Sequence, residues 1–157
     1  MRQSNISRQS GLFFRLGWRD NAVDTITRSE RSEIMSRVRS KNSRPEMLVR
    51  RLVHSEGYRY RLHARDLPGC PDLVFRTRRK VIFVHGCFWH RHPRCALARM
   101  PKSRLEFWEP KLEANRERDA RNRNRLAGLG WRTLTIWECQ LDDPIRLRKM
   151  IRSFLDA

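Results

Sequence analysis

The sequence predicts one α/β domain in which helices flank a mixed β-sheet. Its 157 residues can build a single domain with a real core, but they are too few for two ordinary domains. Hydrophobic residues make up 39% of the chain and include five Trp and seven Phe, which excludes a purely disordered basic tail. The periodic segments follow the order helix, strands, helix, strand, helix, which is typical of a sheet covered by helices.

Two capping signals predict helices in the N-terminal third of the chain. Thr27–Glu30 fits a capping box before a short helix that carries Met35. Ser43–Glu46 is a second capping box, with a proline in the first turn and apolar residues at helical spacing as far as Gly57.

Four short runs rich in β-branched and aromatic residues predict the strands: Tyr58–Leu62, Asp72–Thr77, Lys80–Val84 and Trp131–Trp137. The middle two runs are joined by Arg78 and Arg79, which predicts a hairpin that enters the centre of the sheet. Asp66–Pro71 contains proline and glycine and predicts a turn or loop before this hairpin.

Two further helices are predicted in the C-terminal half. A helical pattern covers Ser103–Leu129, with a break or kink expected near Pro110 and a stop at Gly130. Asp143 and Pro144 begin a closing helix. Its predicted apolar positions are Ile145, Met150, Ile151 and Phe154.

The charge balance predicts the class of partner. Lys and Arg total 35 against 17 acidic residues, which gives a formal net charge of +18, and only five of the basic residues are lysine. Such an excess predicts a polyanionic partner, most often nucleic acid, because the arginine fork suits phosphate oxygens and base edges. No apolar run approaches the ~20 residues of a membrane helix, so we expect a soluble protein.

The N-terminal residues and the cysteines predict the compartment. Residues 1–22 have no sustained apolar stretch and are predicted to be a poorly ordered extension before a domain of residues 23–157. Four cysteines without an export signal favour a reducing compartment over a disulfide framework.

The segment His85–Pro101 has no periodicity but contains three His and two Cys, a density of ligand-type residues that predicts a functional site. The spacing C-x4-H-x2-C is formed by Cys87, His92 and Cys95. Cys139 follows the last predicted strand, so four protein ligands predict a closed, structural zinc site. By spacing alone, His90 is as plausible a ligand as His92.

Asp72 opens the predicted hairpin, at the position where metal-dependent nucleases present their main carboxylate to a divalent cation. Asp is also favourable turn chemistry, so the Pro-Asp pair alone is weak evidence. Such nucleases usually carry an acidic residue and a lysine on the next strand, where this chain has Phe83-Val84-His85. His85 or His90 would therefore have to handle protons in place of the lysine.

Four other residues each have a structural and a functional interpretation. Glu46 either closes the capping box on Ser43 or faces a nearby metal or basic group. Phe88, Trp89 and Trp108 either pack in the core or wedge between base steps. Trp89 is the better wedge candidate because proposed metal ligands lie on both sides of it in the sequence.

Several segments together resemble the very short patch repair (Vsr) DNA mismatch endonucleases: Asp66–Phe75, Val81–His90, Glu106–Trp108 and Trp131–Cys139. The resemblance covers about Thr27 to Cys139, and the run Val-His-Gly-Cys-Phe-Trp-His is its most specific part. It implies a restriction-endonuclease-like fold. It also implies hydrolysis of one strand of duplex DNA 5′ of the thymine in a T:G mismatch, which arises when 5-methylcytosine is deaminated.

The resemblance also implies individual roles. Asp72 would be the principal Mg²⁺ ligand, with the main-chain carbonyl of Val84 beside it. His90 would be the general base, and His85 an auxiliary catalytic or phosphate-contacting group. The supporting acids would be Glu46 and Asp119. The structural zinc would be held by Cys87, His92, Cys95 and Cys139. The side chains inserted beside the mismatch would be Phe88, Trp89 and Trp108 from one groove and Met35 from the other.

Two alternatives stay open from the sequence. The first is a non-catalytic, zinc-stabilised nucleic-acid-binding module in which Asp72 only caps a turn, and the second is a nuclease of the same fold with another DNA substrate. Cys70 stands where the family carries a basic or polar residue, and we expect it to be a spare thiol. We expect a monomer in the bacterial cytoplasm, associated with the nucleoid and working with repair-pathway proteins.

Overall fold

The computed structural model of the chain describes residue 33 and residues 41–157. The predicted extension 1–22, the capping box Thr27–Glu30 and Met35 lie outside the described residues. In the described part, the elements in chain order are α1 (Arg44–Ser55), β1 (Arg61–Leu62), β2 (Leu73–Phe75), β3 (Lys80–His85), α2 (Leu105–Gly128), β4 (Arg132–Trp137) and α3 (Pro144–Asp156). Short 3₁₀ turns lie at Arg76–Arg78, Ala96–Ala98 and Glu138–Asp142.

Helix α1 begins as its capping signal predicts. The hydroxyl of Ser43 accepts a hydrogen bond of 3.4 Å from the amide of Glu46. Pro45 lies in the first turn, where the missing N–H removes no helical hydrogen bond. The chain turns away at Gly57, whose φ of 86° is a conformation that glycine adopts without strain.

The four strands form one sheet in the order β1-β2-β3-β4. The first three are antiparallel neighbours, and β4 runs parallel to β3. Strands β2 and β3 form the predicted hairpin, whose tight connection ends at Arg79 with a left-handed φ of 51°. The predicted α/β fold with a mixed sheet is therefore confirmed.

The two faces of the sheet carry separate hydrophobic clusters because successive side chains of a strand point in opposite directions. One face packs against helices α1 and α3; its buried residues are Val49, Val53, Leu73, Phe75, Ile82, Ile136, Leu147, Ile151 and Leu155. The other face packs against the C-terminal part of α2; its buried residues are Ala64, Leu67, Val74, Val81, Phe83, Leu126 and Trp131. The sheet is thus a middle layer, and the site described below lies at one end of it.

Three details of the sequence prediction are wrong. Only Arg61–Leu62 of the run Tyr58–Leu62 pairs as a strand; Tyr58 and Tyr60 instead pack against the core. Helix α2 continues through Pro110 without a break, since a proline near the helix start removes a single hydrogen bond. Ile145 is 84% exposed, so the buried face of α3 is displaced from the predicted one.

Among the described residues, no helix combines the length and the apolar character needed to cross a membrane.

Candidate active site and Cys/His cluster

A cavity of about 360 Å³ lies at the open end of the β2–β3 hairpin. Gly69 shapes one wall: a Cβ there would lie 2.9 Å from Asn122 Nδ2, so only glycine allows the loop to approach helix α2 so closely. We call this the Asp72 cavity. Its lining residues are Lys41, His63, Gly69, Cys70, Asp72, Phe83, Val84, His85, His90, Arg118, Asp119, Asn122 and Arg123.

Asp72 lies immediately before β2 and is held in one orientation. Its Oδ2 accepts a hydrogen bond of 2.7 Å from the backbone amide of Val84. Burial raises the pKa of Asp72 to about 6; the Val84 amide opposes this rise, and the charge of Glu46 adds to it. A fixed and poorly hydrated carboxylate of this kind is suited to bind a cation.

Glu46 belongs to a buried network beside Asp72. Its side chain is 3% exposed and forms a salt bridge with Arg50, one turn further along α1. His63 Nε2 lies 3.3 Å from Glu46 Oε1 and 2.8 Å from Arg50 Nη2. Burial lowers the pKa of His63; the charge of Glu46 opposes this effect, and the charges of Arg50 and Lys41 add to it. One ligand atom each of Glu46, His63 and Asp72 lie within 4.8 Å of one another.

Two stacked histidines face Asp72 across the cavity. His90 Nδ1 lies 2.5 Å from Asp119 Oδ2, and the rings of His85 and His90 stack with their centroids 3.8 Å apart. Burial lowers the pKa of His85 to about 3, and the charge of His90 adds to this effect. Burial opposes ionisation of Asp119, but the hydrogen bond and charge of His90 lower its pKa below the usual value. His85 is therefore neutral, and His90 has a carboxylate that fixes its ring.

A second group of ligand-type side chains, the Cys/His cluster, consists of Cys87, His92, Cys95 and Cys139, whose ligand atoms lie within 4.8 Å of one another. His92 Nδ1 is 3.6 Å from Cys87 Sγ and 3.3 Å from Cys139 Sγ. Zinc bonds of about 2.3 and 2.0 Å at a tetrahedral angle would separate sulfur and nitrogen by about 3.5 Å. Burial raises the pKa of Cys87 to about 12, so a thiolate there requires a nearby cation.

The two histidines that spacing left equivalent lie in different sites. His90 lines the Asp72 cavity, whereas His92 belongs to the Cys/His cluster. Arg91 between them has a left-handed φ of 53°, which turns the chain from one site to the other. The His92 ring also stacks on Trp137 at the end of β4, with centroids 4.2 Å apart.

Four aromatic side chains form an aromatic patch beside these sites: Phe88, Trp89, Phe107 and Trp108. The ring of Phe88 lies 5.1 Å from that of Trp89 and 5.4 Å from that of Trp108. These three side chains are partly exposed and belong to neither core cluster. Lys111 Nζ lies 5.2 Å from the Phe107 ring centroid. The patch therefore offers apolar rings and positive charge to a partner.

Comparison with known proteins identifies the family of this chain. The family model described as DNA mismatch endonuclease Vsr matches residues 23–97. The chain is 42% identical over 119 residues to the DNA mismatch endonuclease Vsr of Escherichia coli, covering 76% of each chain. It is 53% identical over 134 residues to the type II nicking enzyme V.XorIIP of Xanthomonas oryzae, covering 85% of this chain and 98% of that one. The chain belongs to the Vsr endonuclease family.

The family resemblance inferred from the motifs is thus confirmed. A second nicking enzyme, V.NmeAIP of Neisseria meningitidis, is 38% identical over 139 residues and is covered over 99% of its length. As a Vsr-family protein, the chain is a DNA endonuclease, a hydrolase of phosphodiester bonds, with a place in DNA repair. Its basic composition agrees with a DNA partner.

Several residues of this Vsr-family site were missed by the sequence analysis. Arg50 lies one helical turn after Glu46, and this spacing could have identified it. Asn122 and Arg123 follow Asp119 by three and four residues on α2, so helical periodicity could have identified them as neighbours in the cavity wall. No local pattern pointed to His63, which reaches the site only through the tertiary fold.

Proposed function

We propose that this chain is a Mg²⁺-dependent mismatch endonuclease that nicks one strand of duplex DNA 5′ of the thymine in a T:G mismatch. Its fold would be of the restriction-endonuclease type, and a structural zinc would stabilise it. The observation that carries the proposal is the convergence of Asp72, Val84 and His90 on one cavity open enough for a phosphate.

The residues of the cavity fit a magnesium ion. Asp72 would be the principal ligand. Val84 donates its amide to Asp72, and because the N–H and C=O of one extended residue point to the same side, its carbonyl lies on that side too. Oxygen donors are the ligands Mg²⁺ prefers, and when bound the ion supplies charge stabilisation to the scissile phosphate. Glu46 adds a nearby carboxylate.

His90 would act as the general base. With Nδ1 held by Asp119, its Nε2 is left to take a proton from the attacking water. Asp119 would orient the ring and stabilise the imidazolium that forms, as carboxylates do beside catalytic histidines. His85, neutral and stacked on His90, would provide a wall of the site and a contact to phosphate. These roles replace the lysine that is absent after Phe83.

The Cys/His cluster would hold a structural zinc. Four protein donors leave no position for a substrate, and the spacing of sulfur and nitrogen fits tetrahedral zinc. The cluster joins the loop after β3 to the end of β4, where Cys139 lies. A metal here would therefore fix the loop that carries His90 together with Phe88 and Trp89 of the aromatic patch.

The aromatic patch would recognise the mismatch. Phe88, Trp89 and Trp108 would insert beside the T:G pair from one groove and Met35 from the other, although Met35 lies outside the described residues. Wedging a side chain between base steps requires unstacking, which is least unfavourable where pairing is already imperfect. We infer a monomer that acts on nucleoid DNA in the bacterial cytoplasm.

A nicking assay tests the proposal. Two duplexes that differ only by T:G in place of C:G are incubated with and without Mg²⁺, and the position of the nick is mapped on each strand. We expect a Mg²⁺-dependent nick 5′ of the mismatched thymine only in the T:G duplex. Binding of T:G without any nick would favour the non-catalytic module, and equal nicking of both duplexes would favour another DNA substrate.

A further inference from the structure

Arg50 is a buried cation in the helix that carries Glu46. The residue is 7% exposed, and its Nη1 donates a hydrogen bond of 2.8 Å to Asn42 Oδ1. Its Nη2 contacts both Glu46 Oε1 and His63 Nε2. Its Nε has no hydrogen-bond partner among the described residues. Because burial of a guanidinium is unfavourable unless its charge is paired, the contacts of Nη1 and Nη2 must hold it there.

His63 must accept a hydrogen bond from Arg50. An arginine offers only N–H donors, so the facing Nε2 of His63 carries a lone pair and the proton of the neutral ring is on Nδ1. The backbone of His63 has a φ of 47°, in the left-handed region that few residues other than glycine adopt. Such a conformation persists only where the surrounding structure enforces it, and it is concentrated at functional sites.

The two hydrogens of Arg50 Nη2 match the two acceptors that it contacts. One N–H can serve Glu46 Oε1 and the other His63 Nε2, which fixes the plane of the guanidinium. Glu46 Oε1 receives one of these hydrogen bonds and His63 the other, so His63 acts on Glu46 through Arg50. The direction of the carboxylate is therefore set by the guanidinium, beside Asp72.

We propose that Arg50 and His63 are positioning residues that fix Glu46 beside Asp72 and so set the affinity of the cavity for its divalent cation. This inference rests on the proposed metal-dependent function. The positive charge of Arg50 offsets one of the two carboxylates, which limits their mutual repulsion. Without the acceptor on His63, the guanidinium keeps only Asn42 and Glu46 as partners, and it holds the direction of Glu46 less firmly.

Two substitutions at one position test the acceptor role. His63→Leu removes the acceptor, whereas His63→Gln places an amide oxygen near the position of Nε2. Neither new side chain is branched at Cβ, so the left-handed backbone conformation at residue 63 should be equally unfavourable for both. Binding of Mn²⁺ to the zinc-loaded protein is measured by electron paramagnetic resonance, and nicking of the T:G duplex is measured as a function of Mg²⁺ concentration. Asp72→Asn identifies the Mn²⁺ bound in the cavity.

We expect His63→Leu to weaken Mn²⁺ binding and to raise the half-saturating Mg²⁺ concentration by about tenfold or more, the usual effect of losing a group that orients a metal ligand. His63→Gln should return both values to within about threefold. Arg50→Lys keeps the charge but replaces the planar fork with a compact ammonium that does not hold two acceptors in one plane, and it should behave like His63→Leu; it supplies the test if that variant fails to fold. His54→Leu, the same change at an exposed position of α1, should alter neither value.

The outcomes separate this inference from the proposed function. If the unaltered protein shows no Asp72-dependent Mn²⁺ binding and no nicking, the proposed function itself is wrong. If it shows both, and His63→Leu and Arg50→Lys keep the unaltered metal affinity, the positioning network is overturned. Equal impairment of His63→Leu and His63→Gln would also overturn it, because the accepted hydrogen bond would then be irrelevant.

Discussion

The Asp72 cavity and the Cys/His cluster draw on the same loop after β3, yet they suit opposite tasks. The cavity combines carboxylates with imidazoles around an open volume of about 360 Å³. The cluster brings three sulfurs and one imidazole nitrogen together, which is a complete tetrahedral set. Only Arg91 separates His90 in one site from His92 in the other. Donor type and free volume, and not sequence distance, therefore distinguish a site suited to chemistry from one suited to stability.

This contrast has an electrostatic counterpart. In the cavity, burial raises the pKa of Asp72 and leaves a carboxylate whose charge is poorly compensated. In the cluster, burial raises the pKa of Cys87 and Cys139, so the thiolates need a cation to form. Under the proposed function, removing the cation from the cavity would leave a folded protein that lacks activity. Removing the cation from the cluster would take folding free energy with it.

The largest effect is expected at the cluster. Cys87→Ser should abolish stoichiometric zinc and prevent stable folding, because structural zinc sites contribute on the order of 10 kcal/mol of apparent binding free energy that is also folding free energy. Metal analysis and thermal unfolding measure both. Cys70→Ser, at a cysteine outside the cluster, is the matched control and should keep zinc and stability. Well-folded, metal-free protein at neutral pH would contradict the prediction.

Asp72→Asn should reduce nicking without loss of stability, whereas Cys87→Ser should cause loss of stability. Loss of the metal-binding carboxylate should reduce nicking by on the order of 10³-fold or more, since several kcal/mol of charge stabilisation on the phosphate disappear. The Tm should be unchanged or higher, because the amide keeps the shape and removes like-charge repulsion with Glu46. Binding of the T:G duplex should persist. Nicking at the unaltered rate would refute the assignment of Asp72.

The sharpest test of this comparison substitutes His90 and His92 one at a time and compares the two phenotypes. His90→Ala should keep zinc and fold while nicking falls by about 10²- to 10⁴-fold, the range for loss of an acid–base group. His92→Ala should shed zinc and lose stability, and with it activity. Zinc content, Tm and single-turnover nicking are measured on both variants. The reverse pattern would show that the two roles belong to the other histidine.

Much of the fold followed from local signals in the sequence. The cap at Ser43, the hairpin around Arg79 and the helix stop at Gly130 are local features; the structure has the first two, and helix α2 ends at Gly128, just before the predicted stop. The errors arose where tertiary contacts override local preference. Alternation through Tyr58 and Tyr60 predicted a strand, but both rings pack on the core and the backbone pairs only from Arg61.

The candidate site was predictable to a different extent in its two parts. Ligand-type residues in an irregular segment identified the Cys/His cluster, but spacing could not choose between His90 and His92. That choice depends on the turn at Arg91, which has no sequence signal of its own. The Arg50 and His63 network was invisible because its members come from a helix and a loop that only the folded chain brings together.

The smallest expected effect concerns the aromatic patch, which lies outside both the Asp72 cavity and the Cys/His cluster. Trp89 follows Cys87 of the cluster by two positions and directly precedes His90 of the cavity, so its backbone lies between residues of both regions. We expect Trp89→Ala to lower the ratio of T:G to matched nicking by about tenfold, which corresponds to about 1.4 kcal/mol out of the few kcal/mol needed to unstack a base step. Zinc content should not change.

The control for this prediction is the substitution of a charged surface residue, Arg121. Arg121 is exposed on α2 and pairs only loosely with Glu117, at 3.4 Å. Because phosphate contacts are insensitive to sequence and weaken with salt, Arg121→Ala should slow nicking of both duplexes together and flatten the salt dependence. Nicking of matched and T:G duplexes at two salt concentrations separates the two variants. A Trp89→Ala enzyme that keeps its full preference for T:G would show that discrimination lies outside the patch, and the Asp72 cavity would then have to supply it.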